Sequence, residues 1–141
     1  MLNPRPIPQG SYVAAVVHGD LVYTAGMTPR VEGRLRFSGR IGRHVATDDA
    51  VAAIELATRN AIAAVDAVRG QRAVEQILQL TVYLACDMEF TDHSRLADSA
   101  SATLFHTWPA AGLGARAAVG VSSLPGGAPV EVQLVIALAV A

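Results

Sequence analysis

Apolar and polar positions change period several times along the chain, and each change marks an element. Segment 12–17 is β-prone, His18-Gly19-Asp20 turns the chain, and segment 21–25 is β-prone again and stops at Gly26. Two short strands around a Gly-containing turn predict a hairpin. Gly33-Arg34-Leu35-Arg36-Phe37 alternates polar and apolar and predicts a third, edge strand. After a loop over 39–44 the period becomes helical: Val51, Ile54, Ala57, Ala61, Val65 and Val68 recur at spacings of three and four. Thr47 is placed as the cap, Asp48 and Asp49 suit the positive end of the helix dipole, Glu55 and Arg59 form an i,i+4 pair, and Gly70 ends the helix.

Segment 76–86 then alternates with period two, which sets Leu78, Leu80, Val82, Leu84 and Cys86 on one side. A second helix is predicted over 91–106 with Leu96, Ala100, Thr103 and Leu104 inward, its polar face rich in Ser and Asp, and Trp108-Pro109 at its end. Strands follow over 116–123 and 130–140, joined by a turn over 124–129, and are read as a hairpin. The order β-β-β-α-β-α-β-β is an α+β architecture, a mixed sheet with two helices on one face. The other face carries Thr, Gln and small apolar side chains and is expected to pack against other subunits. No repeat or linker divides the chain, so a single domain over 1–141 is expected.

Composition narrows the chemistry. A chain of 141 residues that is 52% hydrophobic can bury a core without disulfide or metal. Eleven cations against twelve acids give a net charge of -1, which offers no basic footprint, so no nucleic-acid partner is expected. Every cation is Arg; the absence of Lys excludes Schiff-base chemistry, pyridoxal-phosphate enzymes and the Lys-dependent phosphate loop. One cysteine, Cys86, makes neither an intrachain disulfide nor a cysteine-rich zinc site and reads as a small core residue. Three prolines hold the N-terminal arm, Met1 to Pro8, extended, and it lacks the apolar stretch of a secretory signal. The late apolar run from Leu134 to Ala141 is too short to span a bilayer. A soluble cytoplasmic protein without a membrane partner is expected.

Several motifs fail on context. Gly112 to Ala117 fits G-x-G-x-x-A, but it follows a helix and opens a strand, the reverse of a dinucleotide site. Glu89 and His93 are spaced i,i+4, yet no HxH or HExxH supplies further ligands, so no metal is expected. His18, His44, His93 and His106 read as structural or solvated, and no G-x-S-x-G elbow is present. No cofactor is expected.

Two charged residues stand out from apolar surroundings. Arg116 is isolated among Ala115, Ala117, Ala118 and Val119, and Glu131 lies between Val130 and Val132. A sheltered guanidinium is suited to bidentate capture of a carboxylate, and a nearby Glu to placing a water or passing a proton. The competing reading is a salt bridge between subunits.

The chain resembles the RidA/YjgF family of small trimeric proteins along nearly its whole length. The resemblance is carried by Gly19 to Gly26 with Pro29, by Asn60, by Val82-Tyr83 with Asp87 to Phe90, and above all by Ala115 to Val121, Leu124-Pro125 and Ala128 to Val132. It implies a chorismate mutase-like fold, a homotrimer around a central barrel and clefts between subunits. In the deaminase branch, it implies that Arg116 holds the carboxylate of a 2-imino or enamine acid. The backbone N–H of Ala118 assists, Glu131 places the attacking water, and Tyr12 lines the cleft. Hydrolysis then releases ammonia and leaves a 2-oxo acid. The chain departs from that pattern at Ala25 (often Ser), Met27 (often Gln), Ala115 (often Pro or Thr), Gly114 (His in some members) and at Ser94 or Asp98, near a family Asn. Three functions follow: an imine/enamine deaminase-like hydrolase, a non-catalytic trimeric binder of small carboxylates, and a ribonuclease acting as a translation inhibitor. The last is disfavoured by the charge balance.

Overall fold

Two helices of unequal polarity and one five-stranded sheet organise the chain in a computed structural model that describes residues 4–141; Met1, Leu2 and Asn3 of the proline arm lie outside it. The strands are β1 (Ala15–His18), β2 (Leu21–Thr24), β3 (Arg30–Val31), β4 (Arg34–Leu35), β5 (Val74–Ala85), β6 (Ala115–Val121) and β7 (Val130–Leu138). The helices are α1 (Thr47–Arg69) and α2 (His93–Thr107). The main sheet runs β1-β2-β7-β5-β6, with β5 and β6 parallel and every other pair antiparallel.

The mixed sheet and two helices agree with the α+β expectation; the differences are local. The predicted third strand is not an edge of the main sheet. Glu32 and Gly33 both take positive φ, 53° and 80°, and fold 30–35 into a separate two-stranded hairpin, β3-β4. Asn60 of α1 pins that hairpin by donating from Nδ2 to the carbonyls of Thr28 and Arg30 at 3.0 and 2.9 Å. Thr47 is not the cap of α1. Ala46 is already extended and its carbonyl accepts the first helical bond from Ala50, which draws Thr47 one residue inside. Glu55 and Arg59 do not join the ion pairs formed among the described residues.

The strands 116–123 and 130–140 do not form a hairpin. β7 lies between β2 and β5, while β6 lies beyond β5, so the turn over 124–129 carries the chain across β5 rather than back beside β6. Sequence spacing cannot distinguish these two connections; central burial does, because β7 is the most uniformly apolar strand. Val130, Val132, Leu134, Ile136 and Leu138 are all buried beneath the helices. In β5 an irregularity between Ile77 and Gln79 shifts the phase. Ile77 is buried and Leu78 only half-buried, against the alternation predicted through Leu78; Leu80, Val82 and Leu84 then follow it as expected.

α1 packs on β1, β2, β7 and α2, and α2 covers β5 and β6. Alanines Ala50, Ala53, Ala57 and Ala61 are fully buried, so the α1 backbone approaches the sheet closely. Leu96, Ala97, Ala100 and Leu104 form the inward face of α2; Thr103 is only half-buried because it turns a hydroxyl to the carbonyl of Ser99. The opposite face of the sheet has no covering layer: Val16 and Tyr23 are exposed there, with Gln133, Val135, Thr81, Tyr83 and Ala117 half-buried around them.

Candidate functional site

β6 is an edge strand of the sheet, and its register decides where its side chains go. Arg116 pairs with Leu80, Ala118 with Val82 and Gly120 with Leu84, the three β5 residues that face the helices. Arg116 therefore rises on the helix side, under α2. Ser94, Asp98 and Ser101 recur there at i, i+4 and i+7, one polar stripe aimed at the guanidinium. Arg116 Nη1 donates to Asp98 Oδ1 at 2.9 Å and to Ser101 Oγ at 3.0 Å; Nη2 donates to the Ser94 carbonyl at 3.1 Å and to Ser94 Oγ at 2.9 Å. The isolation of Arg116 read from its own strand is thus corrected. Its immediate neighbours in sequence are small, but the facing helix supplies four acceptors. The Arg116 side chain is 19% exposed and that of Asp98 is 74% exposed, so the pair sits at the rim and not in a sealed core.

Beside this pair opens a cavity of about 560 Å³ lined by Thr91, His93, Ser94, Arg116, Ala118, Val119 and Gly120. Arg116 and Ala118, both drawn from the sequence, meet here. His93 and Ser94 come from the first turn of α2, placed over the strand because Leu96, Ala97 and Ala100 bury the same helix against the sheet. Cys86 is buried, as its alternation predicted, and its Sγ lies 3.5 Å from His93 Nε2. Burial pushes the Cys86 thiol pKa up; the Arg40 guanidinium opposes that rise and Asp87 adds to it. Arg40 also donates from Nη2 to the Cys86 carbonyl at 2.7 Å.

Glu131 lies elsewhere. It pairs with Tyr83 across β7 and β5, on the uncovered face, while Arg116 is on the helix-covered face two strands away. Two interstrand spacings and a three-residue offset put their Cα atoms about 14 Å apart. Because 116–123 and 130–140 do not form a hairpin, Glu131 does not pair with the end of β6, and it and Arg116 do not meet within one protomer. The Glu131 side chain packs on the backbone of Gly26, where an added Cβ would lie 2.5 Å from its Cδ. Burial raises its carboxyl pKa above the ordinary 4.5.

Tyr12 is 48% exposed, and its hydroxyl accepts from the Gln9 N–H at 3.0 Å. It lines a second cavity, of about 290 Å³, with Pro6, Ile7, Gly26, Met27 and Asn60 among its walls. Glu131 packs on Gly26, which also lines the Tyr12 cavity, while Arg116 and Ala118 occupy the β6 edge. The departures sit where they matter: Ala25 and Met27 flank Gly26, and Gly114 opens β6. A Cβ on Gly114 would lie 2.5 Å from the Ile77 carbonyl oxygen, so the His of some relatives has no room there without a shift of the strand. The Ser94–Asp98–Ser101 stripe escaped the reading of the strand; its periodic signal was the Ser- and Asp-rich face of α2.

Among the described residues no group of three or more His, Cys, Asp or Glu is placed to hold a metal ion, and no helix is long and apolar enough to cross a membrane.

The fold recurs in known proteins. The family model described as Endoribonuclease L-PSP matches residues 3–138. The crystal structure of Atu1372 from Agrobacterium tumefaciens is 30% identical, with a TM-score of 0.86 over 92% of this chain and 83% of that one. A putative endoribonuclease from Shewanella oneidensis is 26% identical, with a TM-score of 0.89 over 98% of this chain and 92% of that one. RidA from an Antarctic Psychrobacter is 25% identical, with a TM-score of 0.67 over 94% and 93% of the two chains. The match spans the sheet, both helices and the β6 edge that carries Arg116, and on that ground the chain belongs to the Endoribonuclease L-PSP family, the YjgF/RidA family.

Proposed function

We propose that this chain works as a homotrimer whose clefts hydrolyse small 2-imino or enamine acids. In each cleft, Arg116 and Ala118 of one protomer face Glu131 and Tyr12 of the next. The observation that carries the reading is the separation of Arg116 and Ala118 from Glu131 onto opposite faces of one sheet. An edge strand bearing a guanidinium and an uncovered face bearing a carboxyl are complementary halves, and a second copy supplies each with the other. In the joined cleft Arg116 holds the substrate carboxylate, with Ala118 N–H assisting. Glu131, its carboxyl held above the usual range by burial, places a water and accepts its proton as the oxygen attacks the imine carbon. Ammonia leaves and a 2-oxo acid remains. The imine is already electrophilic, so orientation and a placed water suffice.

The guanidinium already spends four hydrogen bonds on α2. That specific contact favours a second reading, a trimeric module that captures small carboxylates without turnover, in which the ligand displaces Asp98. The name endoribonuclease attached to the family and to one relative supports a third reading. The net charge of -1, with no excess of basic residues, disfavours that reading.

The test generates 2-iminopropionate in situ and follows its loss. Wild type is expected to accelerate it and Arg116→Ala to lower that acceleration about 100-fold. Equal decay in both, with pyruvate binding retained by wild type and lost in Arg116→Ala, assigns the chain to the carboxylate-binding class instead.

A further inference from the structure

We propose that His93 is the second ligand-contacting group of the Arg116 cavity and donates the proton that activates the imine. The inference rests on the deaminase reading and adds a residue to it. His93 shares the cavity wall with Arg116, Ser94 and Ala118, and Glu131 of the same chain is on the other side of the sheet. Among the described residues of that wall, His93 carries the side chain whose chemistry suits general acid–base catalysis.

The ring is seated, not splayed into solvent. Its Nε2 lies 3.5 Å from Cys86 Sγ, and it meets the Phe90 ring in a T-shaped arrangement at a centroid distance of 5.2 Å. Below it is Gly120. A Cβ there would come within 2.5 Å of His93 Nε2 and 3.3 Å of Cys86 Sγ. Gly120 does not take positive φ, so no turn requires glycine at this position; the missing side chain makes room for the imidazole. Among the described residues no hydrogen bond engages Nδ1. The titratable and charged groups around the ring are Cys86, just past β5, with Arg40 and Asp87 beside it, Arg116 from β6, and Asp92 as its chain neighbour.

The step balances within the site. The imidazolium gives its proton to the imine nitrogen, forming the iminium. Water adds to the carbon and loses one proton to Glu131 of the neighbouring protomer, and that proton passes back to the imidazole to restore the imidazolium. Transfer of the second proton, from the new hydroxyl to nitrogen, releases ammonia as the C–N bond breaks and the carbonyl forms. Imine and water become 2-oxo acid and ammonia, and no oxidant or metal enters.

The experiment compares wild type, His93→Gln and Gly120→Ala on 2-iminopropionate across pH, with thermal melts and native mass as controls on folding. His93→Gln is expected to lower kcat about 100-fold with KM little changed, and to erase one limb of the pH–rate profile. Gly120→Ala, which displaces the ring, is expected to move kcat in the same direction by a smaller factor. Full activity and an unaltered pH profile in His93→Gln, with Arg116→Ala inactive, overturns the inference and leaves the deaminase reading standing. If wild type itself does not accelerate imine loss, the deaminase reading fails and the proton-donor role falls with it. In that event a titration of the His93 imidazole resonances with pyruvate decides the ligand contact. Shifts that vanish in Arg116→Ala uphold the contact, and resonances that do not move overturn it as well.

Discussion

Glu131 is a carboxyl held among apolar strands against a bare backbone, and its consequences are readable one atom at a time. Its folded pKa is raised, so the folded chain keeps a proton that the unfolded chain releases near 4.5. Stability conferred by that protonated form is present below 4.5 and is lost as pH rises through the folded value. Urea midpoints at one fixed protein concentration are expected to fall across that window in wild type and to stay flatter in Glu131→Gln. The neighbouring Gly26 makes a paired prediction. Its Cβ would collide with Glu131, so Gly26→Ala is expected to cost about 1–3 kcal/mol. Adding Glu131→Ala is expected to recover much of that loss, since the two changes share one space. Additive losses in the double variant would show that the clash is not the cause.

Elements are held by burial and by a few close backbone approaches. β7 is the central strand, and Leu134 is fully buried in it; Leu134→Ala is expected to cost about 2–5 kcal/mol in chemical unfolding. At the start of β6, Gly114 lies against the Ile77 carbonyl, at the irregularity of β5. Gly114→Ala must push β6 away from β5, and a loss of about 1–3 kcal/mol is expected, with the Arg116 cavity disturbed as well. Gly112→Ala, two residues earlier, meets nothing within 4 Å but takes a φ of +69°, so its cost comes from the backbone alone. The helix periods and the Gly70 stop were legible because each depends on neighbours a few residues away. The β3-β4 hairpin was not, because Asn60 pins it from 30 residues further along.

At the scale of the whole molecule, one sheet face lacks a layer. Val16 and Tyr23 are 49% and 45% exposed on it, in the company of half-buried Val135, Tyr83 and Ala117. Trimerisation through this face predicts a native mass about three times 14.7 kDa, and Tyr23→Asp is expected to shift it toward the protomer. If Arg116 and Glu131 work across that seam, the same variant loses activity together with assembly. A chain that stays at the protomer mass at micromolar concentration would remove the shared cleft.

Local patterning alone determined the α+β class, the amphipathic faces of both helices, the buried position of Cys86 and the candidacy of Arg116 and Glu131, whereas Ala118 and Tyr12 entered through the family resemblance. Those properties follow from period, volume and charge, which neighbours in sequence express. Only the tertiary structure decided that β7 enters between β2 and β5, and hence that Arg116 and Glu131 stand on opposite faces. It alone also turned the Ser94–Asp98–Ser101 stripe onto the guanidinium and seated His93 over Gly120. The physical reason is that strand order and helix-to-strand facing are settled by which apolar surfaces bury each other across the whole chain, a competition that no single segment records.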